Sequence, residues 1–411
     1  MTRRTTRLRR RRFFLLRVAD EVSLDIRALF RADIAVRTGV QCSLLCPVRG
    51  ESLPLTADEL AIVMAIPSDR WTSLAQIDSN RAAHPRLLDL AQRGILLSDP
   101  APKAWSDLAN AEDALQRMQW LDIAAVYHAH TGWRGIRGTH LNVLDDDMHT
   151  PPFEKLRQLR GDPPPHFERR MDALTRTPLT MPRLDGPFFD VLLARQTTRA
   201  FRTREPLPIA ALETMLYAVF GTHGIRHEVG LSGLKRTSPS AGSLHPIEAY
   251  ILAVQVNECA SGLYHYETGT HSLALLERMD EAAARKLASE FTAGQAHFAE
   301  AHALVIHVAR FHRNFWKYAR HDKAYKAVLM DSAHLSQSFY LTATHLGLGA
   351  FCTAAINDVD IGERLKLRPH CEAAIAVNGV GIPDISRKEL DLRAEPYDPA
   401  ASREHLVGDT R

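Results

Sequence analysis

The sequence predicts a mixed fold of helices and strands: a small α/β unit, a proline-rich arm, and then a larger α+β or α/β layer. Three observations carry this. The chain has 411 residues, enough for two or three domains at ~150 residues each. Apolar residues make up 45% and charged residues 24%, a globular profile that excludes a disordered, collagenous or disulfide-scaffold chain. In the second half, apolar β-branched runs alternate with long helical patterns.

The chain opens on seven arginines within its first twelve residues. Lys and Arg number 51 against 48 Asp and Glu, so this cluster accounts for the net charge of +3. Arg9 to Leu16 resembles a twin-arginine export signal, but Arg17 and Asp20-Glu21 interrupt the apolar stretch that such a signal requires. The reading is a frayed basic start leading into a strand. No run approaches the ~18 apolar residues of a membrane span. Cys42, Cys46, Cys259, Cys352 and Cys371 are odd in number and scattered, which suits free thiols in a reducing cytoplasm.

Apolar strands are expected at 13–18 and 40–48. Thr56 caps a helix, with Glu59 closing a capping box. A further helix stops at Gly94 before the apolar run Ile95-Leu96-Leu97, as in a winged helix-turn-helix. The stretch leading to it carries Arg81, Arg86 and Arg93 but also Asp89, a poor phosphate-binding face, so no nucleic-acid partner is expected. Such a unit can instead hold a peptide as an added strand. A helix runs through Trp120; His128, His130 and His140 follow without a metal-ligand spacing, and no metal is expected. Between Pro151 and Pro187 eight prolines exclude a central strand or continuous helix and mark a linker or arm. The expected divisions are 1–105, 106–186 and 187–411.

Beyond the arm, helices are expected at 208–220, 281–299 and 322–346, and strands at 248–256, 263–266, 272–277, 303–311 and 373–380. Leu335, Phe339, Thr342 and Leu346 form one stripe of the last helix, for core or dimer contact. Two segments suit an anionic, planar cofactor. Arg195-Gln196-Thr197-Thr198-Arg199 offers guanidinium forks and hydroxyls for a phosphate. The run Arg236-Thr237-Ser238-Pro239-Ser240-Ala241-Gly242-Ser243-Leu244-His245-Pro246 is rich in small residues that let backbone approach a ligand.

With Trp316-Lys317-Tyr318, Met330-Asp331-Ser332-Ala333-His334-Leu335-Ser336-Gln337 and Val377-Asn378-Gly379-Val380-Gly381-Ile382-Pro383, these segments resemble the nitroreductase superfamily of flavin enzymes. The resemblance is narrower to its SagB-type dehydrogenases, which include azoline oxidases of peptide biosynthesis. It implies an α+β, nitroreductase-like FMN domain with a central sheet flanked by helices, working as a homodimer behind a winged-helix-like N-terminal domain. By matching position, Arg195, Thr197 and Arg199 would hold the FMN phosphate and ribityl chain. Ser240, Ala241 and Gly242 would line the isoalloxazine, with Gln337 near it and Arg387 or Lys388 as a second phosphate clamp. Lys317 would be the base for a Cα proton, its pKa lowered by desolvation, with Tyr318 sharing the proton or orienting the substrate. A precursor peptide and cyclodehydratase subunits of a peptide-modifying complex are the implied partners. Ala319 and Ala333-His334 depart from the branch's usual glycines, so the motifs speak more for flavin than for one peptide. An NAD(P)H-dependent reductase of nitro, quinone or dehydroamino-acid substrates, and a non-catalytic peptide-binding partner, stand as alternatives.

Overall fold

A computed structural model describes residues 5–24, 36–137, 170–228 and 231–387, together with 157, 158, 160–162, 164 and 167. His140 and Lys388 lie outside the described residues, as does most of 138–169. No helix among the described residues is long and apolar enough to cross a membrane.

The N-terminal unit runs β1 (Arg7–Arg10), β2 (Leu15–Leu24), β3 (Val36–Cys46), β4 (Glu51–Leu55), α1 (Ala57–Ala65), β5 (Thr72–Ser73), α2 (Leu74–Ile77), α3 (His84–Gln92) and β6 (Leu96–Asp99). Thr56 and Glu59 form the capping box at the start of α1 as expected. Gly94, at φ 72°, ends the turn after α3 and lets β6 begin. Two antiparallel sheets result, β5-β1-β6 and β2-β3-β4. The strand from the very start of the chain therefore sits at the centre of the small sheet.

That placement corrects the expectation of a frayed basic start. Arg9 and Arg11 are buried. The Arg11 Nε donates to the Gly94 carbonyl at 2.8 Å, and its guanidinium pairs with Glu51 at 3.5 Å. Arg12 Nε donates to the Ser68 carbonyl at 2.8 Å, and Arg9 pairs with Asp113 at 3.0 Å. Guanidinium groups are weakly hydrated and planar, so they enter a core more readily than ammonium groups when carbonyls and carboxylates meet them.

Helices α4 (Leu108–Arg117) and α5 (Asp122–His130) follow, then, past the arm, α6 (Pro187–Ala194) and α7 (Ile209–Phe220). The hairpin β7 (Gly224–Glu228) and β8 (Leu231–Lys235) precedes β9 (Ile247–Ala253), β10 (Gly262–Glu267), β11 (Ser272–Arg278), α8 (Glu281–Phe291) and β12 (Ala303–Arg310). The chain closes with α9 (Phe311–Lys317), α10 (Ala324–His345), β13 (Gly349–Thr353), α11 (Asp358–Arg364) and β14 (Glu372–Gly381). The central sheet has the order β11-β10-β9-β12-β14-β13, and each pair is antiparallel. The half is thus α+β, not α/β.

Alternation along β12 builds a core on each face. Ala303, Val305 and Ala309 pack with α7 and α10, while Leu304, Ile306 and Val308 pack with α8 and α11. The first core also takes in Phe13, Leu115, Trp120 and Ala125, so the N-terminal region and the sheet share apolar packing. Leu335 and Phe339 of the α10 stripe are buried there, while Leu346 is 36% exposed at the helix end.

Glu112 of α4 sits fully buried beside the arginines and accepts the Arg12 backbone N–H at 2.8 Å. Burial pushes its carboxyl up to about 7 from 4.5, against the pull of that N–H and of Arg11 and Arg9. Between those values the folded chain holds a proton that the unfolded chain has lost. The group's stabilisation is therefore full below about pH 4.5 and lost as pH rises through about 7. The stability of the wild type relative to Glu112→Gln is expected to fall by on the order of 3 kcal/mol across that window, read by urea denaturation. A flat difference would mean that the carboxyl stays ionised among its arginines.

Candidate active site

The segment between β8 and β9 is strained where the chemistry is expected. Gly242, Ser243 and His245 have φ of 61°, 58° and 45°, in the left-handed region that non-glycine residues rarely occupy. Such backbone persists only where neighbours over-determine it. Here Asp331 of α10 does so: it accepts from the Ser240 hydroxyl at 2.5 Å and from the Ala241 N–H at 3.2 Å. The Ser240 oxygen in turn accepts from the His245 N–H at 2.9 Å. Ser238 meets Ser338 of α10 at 2.7 Å, and the Arg313 Nε donates to the Leu244 carbonyl. Asp331 itself is buried, and burial raises its pKa against the hydrogen bonds from Ser240 and Ala241.

Lys317 and Tyr318 reach this loop from α9. A Cβ built on Gly242 would lie 2.5 Å from the Tyr318 hydroxyl and 2.9 Å from the Lys317 Nζ. No side chain fits there without moving the pair. The pair is itself compact, with Lys317 Nζ 5.5 Å from the centroid of the Tyr318 ring. The desolvation expected around Lys317 is not supplied by the single chain, because the residue ends a seven-residue helix at the surface and is exposed.

What seats α9 comes from the N-terminal side. Trp120 packs against Phe311 at 4.9 Å and Phe315 at 4.8 Å between ring centroids, and its Nε1 donates to the His370 carbonyl at 3.0 Å. His128 turns inward to Tyr325, 3.1 Å from its hydroxyl, and burial pushes its pKa down to about 4. The Arg320 N–H donates to the Gln119 carbonyl at 3.0 Å, tying the turn after Tyr318 to the end of α4.

The arginine segment lies at the other end of α10. Arg195 lies over the Tyr340 ring, 5.4 Å from its centroid, and the Thr197 hydroxyl is 3.2 Å from the Tyr340 hydroxyl. The Thr198 N–H donates to Ala350 of β13, and Ala200 accepts from the Asp384 N–H. Arg199 therefore sits between the sheet edge and the segment after β14. Gln337 is exposed on α10, between the residues that hold the loop and those that meet Arg195 and Thr197. Asp331 and Tyr340 are about two and a half helical turns apart. Arg387 pairs with Glu300 at 2.6 Å and remains partly exposed.

Asp331 stands in the sequence only as part of the 330–337 motif, with no role of its own, and Tyr340 carries no signal there. A signal for Asp331 exists: it continues the Leu335 and Phe339 stripe one turn earlier, placing a carboxylate where an apolar residue is due. Gly242→Ala is expected to cost about 1–2 kcal/mol through its left-handed backbone. It also pushes Lys317 and Tyr318 out of register, so activity should fall far more than thermal stability. Unchanged turnover would show that the contact between loop and pair is incidental.

The nitroreductase family model matches residues 192–381, the span holding the sheet, the loop and the Lys-Tyr pair. A protein of Methanocaldococcus jannaschii named "Putative nitroreductase" is 32% identical over 181 residues, 44% of this chain and 85% of that protein. The trifolitoxin operon protein TfxC of Rhizobium leguminosarum bv. trifolii is 23% identical over 353 residues, 81% of this chain and 89% of its own. The trifolitoxin-processing protein TfxB of the same organism is 26% identical over 144 residues, 35% of this chain and 38% of that protein. Among solved structures, a chain of the E. coli microcin synthetase McbBCD complex with truncated pro-MccB17 bound aligns with a TM-score of 0.48 at 17% identity, over 66% of this chain and 96% of that one. By the family match and the archaeal relative, this chain belongs to the nitroreductase family.

Proposed function

We propose that the chain is an FMN-dependent dehydrogenase of a ribosomally synthesised peptide, oxidising thiazoline or oxazoline rings to azoles. The observation that carries this reading is the meeting of Lys317 and Tyr318 over the side-chain-free surface of Gly242. The trifolitoxin names of two relatives support a peptide as the substrate class.

The donor set along α10 fits FMN. Arg195, Thr197 and Arg199 present guanidinium and hydroxyl groups suited to a phosphate and ribityl chain, and Gln337 lies exposed between them and the loop. Ser240, Ala241 and Gly242 form a small-residue surface, stiffened by Asp331, that suits a flat ring. Arg387 or Lys388 would add the second phosphate clamp. When bound, FMN supplies the two-electron acceptor for the Cβ hydride, which protein side chains cannot provide. Lys317 takes the Cα proton at Nζ, and Tyr318 orients the ring nitrogen through its hydroxyl. The N-terminal unit holds the peptide as a strand added to β2, whose outer edge pairs with no other strand among the described residues. Cyclodehydratase subunits would form the rings that this chain oxidises.

A homodimer belongs to the same reading. None of the α6 side chains is buried, although the helix is almost wholly apolar, and Phe188 and Leu193 are each 67% exposed. A helix apolar all round needs a second surface. The double variant Phe188→Asp with Leu193→Asp is expected to convert a dimer to a monomer in light scattering; an unchanged mass would place the interface elsewhere.

The direct test is mass spectrometry of a model peptide bearing one thiazoline, incubated with the flavin-loaded protein. Loss of two hydrogens is expected with the wild type and a drop of at least about a hundredfold in rate with Lys317→Ala. Undiminished oxidation in the variant would remove Lys317 as the base. Similarity to a nitroreductase-named relative favours a second reading, NAD(P)H-dependent reduction of nitro or quinone compounds. Bleaching of the flavin band by NADPH, with no oxidation of the thiazoline peptide, would select it.

A further inference from the structure

Three arginines meet at the end of the sheet where β9 begins and β12 gives way to α9. Arg236 is buried, with its NH1 3.5 Å from the Ile247 carbonyl and its Nε without a partner among the described residues. Arg310 pairs with Glu248 at 3.0 Å, and its buried Nε also lacks a partner among the described residues. Glu248 is shared further, with His265 at 3.2 Å. Arg313 binds the Leu244 carbonyl through Nε, and among the described residues its terminal nitrogens have no partner. Three guanidinium groups thus lean on one carboxylate. Their mutual repulsion adds to burial in lowering the pKa of both Arg236 and Arg313.

Two of the three, Arg310 and Arg313, line a cleft of about 400 Å³ on the flank of the strained loop. Gly242, Ser243, Arg310, His312, Arg313 and Trp316 line it, and among the described residues no carboxylate does. The His312 ring is turned away from the cleft's guanidinium groups, with its Nδ1 3.4 Å from the Cys371 carbonyl and its Nε2 3.4 Å from an Arg368 nitrogen. Gly242 forms one wall of the cleft and also abuts Lys317 and Tyr318, so a ligand in the cleft would lie beside the proposed base. Trp316, 72% exposed and adjacent to Lys317, offers an apolar face to whatever carries the charge.

We propose that this cleft is an anion-binding subsite, in which Arg313 and Arg310 hold an oxyanion of the substrate next to the reacting group. An oxyanion in the cleft would meet the terminal nitrogens of Arg313 and offset the repulsion between Arg313 and Arg310, as charge-assisted bonds to arginine do. The proposal rests on the active-site reading for the position of the reacting group, but the cleft's preference for anions does not depend on flavin. Two sources carry this chemistry: an acidic side chain flanking the ring in a peptide, or the phosphate of a nicotinamide dinucleotide.

The test is calorimetric titration of the full chain, saturated with FMN, with benzoate and with neutral benzamide. Benzoate is expected to bind at least about tenfold more tightly, and the preference should vanish in Arg313→Gln and persist in Arg313→Lys. Equal binding of the two by the wild type overturns the proposal without any variant. So does a benzoate preference that survives in a folded Arg313→Gln protein, or flavin released as benzoate binds, which would assign the arginines to the cofactor. Tighter binding of N-acetylaspartate amide than of adenosine 2′,5′-bisphosphate supports the peptide source, and the reverse order the dinucleotide. Should the protein fail to take up FMN, the active-site reading falls, and the same titration of the flavin-free chain still decides the subsite.

Discussion

Gly242 is where the molecule has no room. Its left-handed backbone is fixed from below by Asp331 through Ser240 and Ala241, and its bare surface is occupied by the ends of Lys317 and Tyr318. Remove the glycine and the pair must move; remove the carboxylate and the loop loses the acceptor that holds it on α10. A residue with two hydrogen-bonding partners on a strained loop is a stiff anchor, because the strain is released only if both bonds break. This one contact holds the small-residue loop and the Lys317-Tyr318 pair against each other.

The support extends into the N-terminal half. Trp120 packs on Phe311 and Phe315, and the Gln119 carbonyl binds the turn after Tyr318. Aromatic packing of this kind contributes area and fixed geometry together. The helices ahead of the arm therefore do more than link two units; they form the back of the segment that carries the proposed base.

How much of this was legible varies with the range of the interaction. The capping box at Thr56, the stop at Gly94 and the stripe through Leu335 and Phe339 depend on residues a turn or so apart, and were read as they stand. The strand at 303–311 is legible in its apolar, β-branched run, interrupted only by His307 and Arg310, and is buried on both faces. The β7–β8 hairpin and β13 were not read: short segments with internal or leading glycines carry little pattern, and their strand state comes from pairing with distant chain. At the site, the small-residue loop and the Lys-Tyr pair were recognised separately. Nothing in either segment says that they touch.

Sequence by itself determined the local conformations, the two-faced burial of the central strand and the residue types offered to a phosphate and a proton. Only the tertiary structure decided which charges are inside. Arg9 and Arg11 look like a solvated tail because a guanidinium is expensive to bury alone, and their partners Glu51, Gly94 and Asp113 arrive from far along the chain. The same holds for Lys317: its type announces a base, but its neighbours, its exposure and its contact with Gly242 are set by how α9 is seated. Periodicity and capping are short-range and can be read in order. Burial of a charge depends on a partner that only the folded chain brings within reach.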